Sequence, residues 1–301
     1  MNRPNFFIVG VAKCGTTALF DYLAQHPNTW CPTEKEPNYL AFDYPALQGP
    51  RTEEDYLALF AGAAEEHTAI GEASILYFFS QVAIEEIRAR YPDARLIIMI
   101  RTPADMVYSF HSQLMSTANE DVADFAEAWR LQDERLAGRH IPSRCLVPEF
   151  LQYRQIGRMS RGIRRVLDVF PRDQVRLIVF DDLKSNPQGV LDEVTDYLEL
   201  PRYDGVDFRV VNANRVQKSR LVTGVTTRPL RPGLQGFVRG LKRFTGLQNF
   251  SIRSLLARLN TREAPRKKLA PEFRQELRDY FADEVAELEA LTGRDLSHWR
   301  D

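Results

Sequence analysis

The stretch Phe6-Phe7-Ile8-Val9-Gly10-Val11-Ala12-Lys13-Cys14-Gly15-Thr16-Thr17 decides the fold of this chain. Its first residues are apolar and are followed by a glycine, a pattern typical of a buried β-strand. A helical spacing of apolar residues then runs over Gly15–Gln25 and stops at His26-Pro27. The stretch therefore predicts a strand, a short glycine-containing loop and a helix in direct succession.

Similar apolar runs recur along the chain, at Thr68–Ala73, Arg95–Ile100 and Gln174–Phe180. Helical patterns predict helices over Glu53–Ala61, Val82–Tyr91, Pro103–Ser116, Asp124–Leu136, Phe150–Phe170, Pro187–Leu198 and Pro271–Leu291. Because the strands are continuous apolar runs that alternate with helices, they indicate a central parallel sheet covered on both faces. We expect an α/β, P-loop-like three-layer fold. No linker is evident, so we expect a single domain over residues 1–301 with a basic, loop-rich segment at 210–266.

Composition excludes several classes of protein. The chain has 301 residues, 44% hydrophobic and 27% charged, which is typical of a soluble globular protein and unlike a disordered or collagen-like chain. Its three cysteines are too few for a disulfide framework, and the odd count favours a reducing compartment. The longest aliphatic run, Leu96–Ile100, has five residues, whereas a membrane span needs about 20. We expect a cytoplasmic protein.

Charge is distributed unevenly along the chain. Residues 209–268 contain fifteen Lys and Arg but one acidic residue, whereas the rest of the chain holds 25 basic and 40 acidic residues. This bias is compatible with a solvated face. It is equally compatible with an anion-binding flank for a phosphate, an acidic substrate or an anionic membrane surface.

The loop between the first strand and the first helix predicts a phosphate site. Backbone N–H groups and the helix dipole favour an anion there. The spacing of Gly10 and Gly15 is that of a Walker A loop, but Thr16 stands where that loop has its lysine, and Lys13 lies inside the loop. Such a loop can hold a 5′-phosphate and offer a cation to the group attached to it. The alternative is an ordinary turn between strand and helix.

Two further segments carry groups suited to phosphate. Arg101 stands at the end of a predicted buried strand, where open α/β sheets bind ligands, and Ser109 lies two turns into the next helix. The two could grip one phosphate, the arginine through forked hydrogen bonds. Their alternative roles are a strand-end salt bridge and a helix-surface serine. The segment Asn212–Arg220 places three cations within six residues, which suits a dianionic phosphate or a solvated basic loop.

These motifs resemble those of sulfotransferases that use 3′-phosphoadenosine-5′-phosphosulfate (PAPS). The loop matches their 5′-phosphosulfate pattern, a strand followed by G-x-x-K-x-G-T-T/S. The segments Leu23–Asn28 and Lys35-Glu36-Pro37 are similar to the L-x-x-H-P-x and K-E-P of the bacterial and heparan-type carbohydrate branch. Arg101 and Ser109 match the family's 3′-phosphate site, except that Met106 replaces a frequent arginine. The resemblance implies a cofactor-binding set of Lys13, Cys14, Gly15, Thr16, Thr17, Arg101, Ser109, Lys218, Ser219 and Arg220, with no role for the Cys14 thiol.

A carboxylate is the expected general base. Glu72 ends a short apolar stretch, so partial desolvation should raise its pKa toward a working value. Gly71–Phe78 resembles the E-K-S/T-x-x-Y-F segment of heparan-type enzymes, in which the glutamate is the proposed base, although Ala73 replaces the lysine. The alternative for Glu72 is a helix cap or a surface acid. His111 is the rival base, and we expect it on the helix surface, on another face than Ser109.

The resemblance implies in-line transfer of a sulfuryl group from PAPS to an acceptor hydroxyl or amine, with Lys13 and Glu72 or His111 as catalytic residues. Adenosine 3′,5′-bisphosphate (PAP) would be the product. The acceptor would be a small molecule, a carbohydrate or a lipid, with no nucleic acid involved. The sequence lacks the spacing of a metal site, and protein cations would replace Mg²⁺. Two alternatives are a P-loop nucleotide kinase and a membrane- or polyanion-binding module that uses residues 233–260 as a basic amphipathic helix.

Overall fold

The core of the protein is a parallel sheet of five strands in the order β2-β3-β1-β4-β5. The computed structural model describes residues 2–208, 215–217, 261–263 and 268–301. The strands are β1 (Phe6–Gly10), β2 (Thr29–Trp30), β3 (Ala69–Ala73), β4 (Arg95–Ile100) and β5 (Val175–Val179). Every residue of β1 is buried, as expected for a strand covered on both faces. The predicted central parallel sheet is confirmed, and β2 adds a strand that was not predicted.

Helices connect and cover the strands. They are α1 (Thr16–Leu23), α2 (Glu53–Leu57), α3 (Ala83–Arg90), α4 (Pro103–Ser116), α5 (Phe125–Arg130), α6 (Gln132–Leu136), α7 (Tyr153–Ile156), α8 (Met159–Val169), α9 (Phe180–Ser185), α10 (Pro187–Tyr197), α11 (Pro271–Tyr280) and α12 (Ala282–Thr292). Short 3-10 helices cover Ala58–Phe60, Ile75–Phe78, Pro148–Leu151, Arg172–Gln174 and Ser297–Trp299. None of these described helices has the length and apolarity needed to cross a lipid bilayer.

Four predicted helices are each divided in the structure, and the first, over 53–61, is α2 followed by a 3-10 turn over Ala58–Phe60. The predicted helix over 124–136 is α5 and α6, and the one over 150–170 is a 3-10 turn followed by α7 and α8. The long C-terminal helix is interrupted at Phe281, which is 1% exposed. Apolar residues occupy the interruptions at Leu131 and Phe281, so periodicity alone did not reveal these two.

The chain divides into two compact units. The first comprises Met1–Phe110, Arg154–Asn212 and Leu269–Asp301 and contains the five-stranded sheet. The second comprises His111–Tyr153 and Ala213–Lys268. Of the basic segment 210–266, the structure describes only β6 (Arg215–Gln217) and β7 (Thr261–Glu263), which pair antiparallel. The predicted amphipathic helix at 233–260 lies outside the described residues.

A buried ion pair organises the second unit. The Arg135 guanidinium donates to both carboxylate oxygens of Glu120, at 2.7 and 2.6 Å, and neither side chain is exposed. The Tyr153 hydroxyl donates a further hydrogen bond of 2.6 Å to Glu120. Bidentate geometry and a third donor compensate for the loss of water around these charges. Loss of either partner would leave a buried charge unpaired.

Candidate active site

The chemically suited side chains of the first unit follow three neighbouring strands. The loop containing Lys13 follows β1, Glu72 lies near the end of β3, and Arg101 comes directly after β4. β1 pairs in parallel with both β3 and β4. The carboxyl ends of these strands therefore meet at one edge of the sheet, where open α/β sheets bind ligands.

The loop after β1 is built from left-handed backbone conformations. Lys13 has φ 65° and Gly15 has φ 93°. Gly15 is the N-cap of α1, and among the described residues no side chain caps that helix by a hydrogen bond and its first turn carries no acidic residue. The positive end of the helix is thus presented without a competing carboxylate, as an anion-binding loop requires. Thr16 is 6% exposed and Thr17 is half-buried.

Phe180 connects this loop with Arg101. A Cβ on Gly15 would lie 2.7 Å from Phe180 Cδ2, so only glycine fits against the ring at that position. The Arg101 guanidinium carbon lies 4.9 Å from the centroid of the same ring. The structure therefore brings the predicted 5′-phosphate loop and the predicted 3′-phosphate arginine together on one aromatic side chain.

Arg101 also forms the strand-end salt bridge that was its alternative role. Its Nη2 lies 3.3 Å from Oδ2 of Asp105, one turn into α4, and its side chain is 20% exposed. Ser109, on the same helix, is 2% exposed, which contradicts its alternative role as a helix-surface serine. Met106, the departure from the family pattern noted in the sequence, is fully buried and belongs to the core.

Cys14 supports the loop from the protein interior. Its side chain is fully buried, and Sγ lies 3.5 Å from the Ala12 carbonyl oxygen. Burial raises the pKa of the thiol to about 12, which outweighs the opposite effects of Arg101 and Lys13. The thiol therefore points away from the loop surface, and any cofactor contact by Cys14 would come from its main chain.

Glu72 is a buried acid rather than a cap or a surface acid. It is 1% exposed, and its Oε1 accepts hydrogen bonds from the hydroxyls of Tyr56 (2.8 Å) and Tyr77 (2.7 Å). Its Oε2 accepts a short hydrogen bond from Ser74. Burial raises the pKa of Glu72 to about 7, although these three donors partly stabilise the carboxylate. The predicted rise in pKa agrees with this arrangement, but both oxygens are already engaged.

A second carboxylate, Glu36, lies beside the end of β3. Its backbone N–H donates to the Ala73 carbonyl (3.2 Å), and the Asn38 N–H donates to Ser74 Oγ (3.0 Å). Burial raises the pKa of the Glu36 carboxyl, and the ammonium groups of Lys35 and Lys13 oppose that rise. Glu36 is half-buried rather than enclosed. Sequence reasoning quoted the Lys35-Glu36-Pro37 motif but gave its charged residues no role.

Lys35 adds a cation to this cluster. Its Nζ is buried and has no hydrogen-bond partner among the described residues. It lies 5.6 Å from the centroid of the Phe20 ring. Burial lowers the pKa of Lys35, and the nearby Lys13 ammonium acts in the same direction, whereas Asp21 and Glu36 oppose it. A buried ammonium without an acceptor is a group ready to bind an anionic oxygen.

His111 is not the helix-surface residue that was expected. It belongs to the second unit and is 2% exposed. Its Nε2 lies 2.9 Å from the Val122 carbonyl oxygen, and its ring packs against those of Phe125 and Tyr153. Burial lowers the pKa of the imidazole. These contacts are those of a core histidine.

The structure does not describe the remaining predicted site residues, which are Lys218, Ser219 and Arg220. In the part of the chain that the structure describes, no group of His, Cys, Asp and Glu side chains is arranged to hold a metal ion.

Residues 3–222 match the family model described as "Sulfotransferase domain". The chain is 30% identical over 212 residues to bifunctional heparan sulfate N-deacetylase/N-sulfotransferase 3 of Homo sapiens, covering 67% of this chain and 23% of that protein. It is 29% identical over 247 residues to carbohydrate sulfotransferase 15 of Homo sapiens, covering 65% of this chain and 44% of that protein. The chain thus spans less than half the length of these relatives.

Among solved structures, a sulfotransferase from Alicyclobacillus acidocaldarius is similar over 100% of both chains, with a TM-score of 0.73 and 29% identity. This similarity extends to the C-terminal helices, beyond the residues that the family model covers. The family match over most of the sequence and the shared fold lead to one conclusion: the chain belongs to the sulfotransferase family of enzymes.

Proposed function

We propose that the protein transfers a sulfuryl group from PAPS to a hydroxyl or amine of an acceptor. The observation that carries this proposal is the position of the Lys13 loop and Arg101 at one sheet edge, joined by the Phe180 ring. A nucleotide with a phosphosulfate at one end and a 3′-phosphate at the other needs two such anion sites. Membership in the sulfotransferase family implies the same co-substrate.

The loop and α4 would divide the cofactor between them. Backbone N–H groups of Gly15–Thr17 and the two threonine hydroxyls would hold the 5′-phosphate at the start of α1. Arg101 and Ser109 would hold the 3′-phosphate. The contacts predicted for Lys218, Ser219 and Arg220 with the 3′-phosphate stay predictions, because these residues lie outside the described part of the chain.

The reaction is a displacement at sulfur. The acceptor oxygen or nitrogen forms a bond to sulfur while the bond from sulfur to the bridging phosphate oxygen breaks, and PAP leaves. Lys13 would stabilise the charge that develops on the bridging oxygen, and Lys35 would bind a sulfuryl oxygen. Charge stabilisation of this type is commonly the largest contribution to catalysis. The acceptor proton goes to a carboxylate base.

We propose Glu36, rather than Glu72 or His111, as that base. A base needs a lone pair within reach of the acceptor. Both oxygens of Glu72 accept hydrogen bonds in an enclosed site, and His111 is packed among aromatic rings. Glu36 is half-buried and close enough to Lys13 for the lysine to affect its pKa.

Glu72 would then position the segment that carries Glu36. The Ser74 hydroxyl donates to Glu72 and accepts the N–H of Asn38, two residues after Glu36. Both Glu36 and Asn38 have positive φ, at 53° and 50°. External hydrogen bonds are needed to hold such a backbone in place. The Ala73 carbonyl and the Ser74 hydroxyl supply them at the end of β3, and Glu72 orients that hydroxyl.

The test compares Glu36→Gln, Glu72→Gln and His111→Ala with an aliphatic alcohol or sugar acceptor. Glu36→Gln should lower kcat by about 10²–10⁴, with unchanged affinity for PAP. The wild-type kcat should rise with pH as Glu36 ionises, and Glu36→Gln should lack that rise. Full activity of Glu36→Gln together with inactive Glu72→Gln would return the role of base to Glu72. Inactive His111→Ala alone would assign it to the histidine.

A carbohydrate is the acceptor class that we propose first. The matched relatives are named for heparan sulfate and for carbohydrate. Transfer of ³⁵S from labelled PAPS to N-desulfated heparin, compared with a lipid acceptor in vesicles, tests this choice. Labelling of the lipid alone would favour the membrane-associated alternative, and Mg²⁺-dependent ATP turnover would favour the kinase.

A further inference from the structure

We infer that Arg274, from the C-terminal helix α11, tunes the proposed 3′-phosphate site by neutralising Asp105, the carboxylate that orients Arg101. The inference rests on the proposed function and adds a positioning residue to it. Arg274 lies beyond residues 3–222, which the family model matches.

Asp105 forms ion pairs with both Arg101 and Arg274. Asp105 Oδ2 lies 3.3 Å from Arg101 Nη2, and Asp105 Oδ1 lies 2.9 Å from Arg274 Nη1. All three side chains are partly shielded, with exposures of 20% for Arg101, 28% for Asp105 and 36% for Arg274. One carboxylate therefore connects two arginines that are far apart in the sequence.

Arg101 is fixed from two directions. Asp105 holds the guanidinium at one edge, and the Phe180 ring lies against it, 4.9 Å from its central carbon. A guanidinium held in this way can present its remaining N–H groups to a phosphate with little loss of side-chain freedom.

The negative charge of Asp105 lies beside Arg101, and the positive charge of Arg274 compensates for it. A carboxylate beside Arg101 would repel a dianionic phosphate bound to that arginine. At the effective dielectric constant of a protein surface, such repulsion over about 8 Å amounts to tenfold or more in affinity. Arg274 returns the local charge to that of Arg101 alone, so Asp105 can orient the arginine without opposing the ligand.

Space for a ligand lies beside the ion pair of Asp105 and Arg274. A cavity of about 490 Å³ is lined by Thr102, Asp105, Arg274 and Arg278, among others. Arg278 follows Arg274 by one turn on α11 and makes no ion pair among the described residues. Arg278 is therefore a matched control for the removal of positive charge from the same helix and cavity.

The experiment measures the dissociation constants of PAP and 5′-AMP by calorimetry. Arg274→Met should weaken PAP binding about tenfold and leave 5′-AMP within about twofold, since 5′-AMP lacks the repelled group. Adding Asp105→Asn should restore PAP affinity to within about threefold of wild type, because asparagine keeps an oxygen for Arg101 without the charge. Arg278→Met should change PAP affinity by less than about threefold. Circular dichroism shows whether each variant is folded.

The outcomes separate this inference from the proposed function. A wild-type protein that binds PAP and 5′-AMP equally would overturn both. A wild type that prefers PAP, with Arg274→Met unchanged, would overturn only the inference. Weakened PAP binding that Asp105→Asn does not restore would mean that Arg274 contacts the phosphate itself or supports the fold, and would also reject charge compensation.

Discussion

Glu72→Gln should change how the stability of the protein depends on pH. In the folded state burial raises the pKa of Glu72 from 4.5 to about 7. Below pH 4.5 the carboxyl is protonated in both the folded and the unfolded state, so its contribution to stability is fully present. As the pH rises through 7, the folded protein must ionise a buried group or retain a proton that the unfolded chain has released. The wild type therefore loses this contribution to its unfolding free energy as the pH rises from 4.5 to about 7.

The magnitude follows from the size of the shift. A pKa rise from 4.5 to about 7 corresponds to about 3 kcal/mol, at about 1.4 kcal/mol for each pKa unit. Glutamine is neutral throughout. Its Oε1 can accept from Tyr56 and Tyr77, and its Nε2 can donate to Ser74 Oγ. The Ser74 hydroxyl proton loses its acceptor, but this cost is the same at every pH. The variant should escape the loss that the wild type suffers.

Urea unfolding, followed by circular dichroism at pH values from 4 to 8.5, checks this expectation. The unfolding free energy of Glu72→Gln, relative to wild type, should increase by about 3 kcal/mol across that range. Glu65→Gln, which removes an exposed carboxylate, serves as the control. Parallel stability curves for the wild type and Glu72→Gln would refute the reasoning, because they would mean that Glu72 ionises as readily in the folded protein as in the unfolded chain.

The other predictions concern the loop, the ions and the second unit. Lys13→Ala should abolish ³⁵S transfer in a folded protein, since Lys13 is a half-buried loop residue whose loss opens no core cavity; near-normal turnover would place the sulfuryl site elsewhere. EDTA should leave turnover unchanged, because Lys13 and Arg101 supply the positive charge, whereas strict Mg²⁺ dependence would support the kinase alternative. Glu120→Gln should destabilise the protein by about 3–5 kcal/mol in urea unfolding, because Arg135 then stays buried without its counter-charge. A loss below about 1 kcal/mol would show that the pair is not isolated from water.

The strands that the sequence predicted well are rich in apolar residues. β1, β4 and β5 each contain at most one charged residue, and their bounds differ from the predicted ones by at most one residue. β2 has two residues, too few for any periodic signal. Residues 209–214 and 218–260 lie outside the described part of the chain, so the predictions for Lys218–Arg220 and 233–260 stay predictions. The cytoplasmic location also stays a prediction.

The geometry of the candidate site was predictable where one local motif carries it. Lys13, Gly15 and the helix start lie within one loop, so their spacing was sufficient. The enclosure of Glu72 depends on Tyr56, which is sixteen residues away, and no local pattern links the two. The contact between Asp105 and Arg274 spans 169 residues and is set by the packing of α11.

The calorimetric affinities of the wild-type protein for PAP and 5′-AMP test the central claim most directly. The two ligands differ only in the 3′-phosphate, which Arg101 and Ser109 are proposed to hold. The account predicts that PAP binds at least about a hundredfold more tightly, the equivalent of one or two charge-assisted hydrogen bonds. Equal affinities for the two nucleotides would contradict the assignment of the sheet edge as a PAPS site.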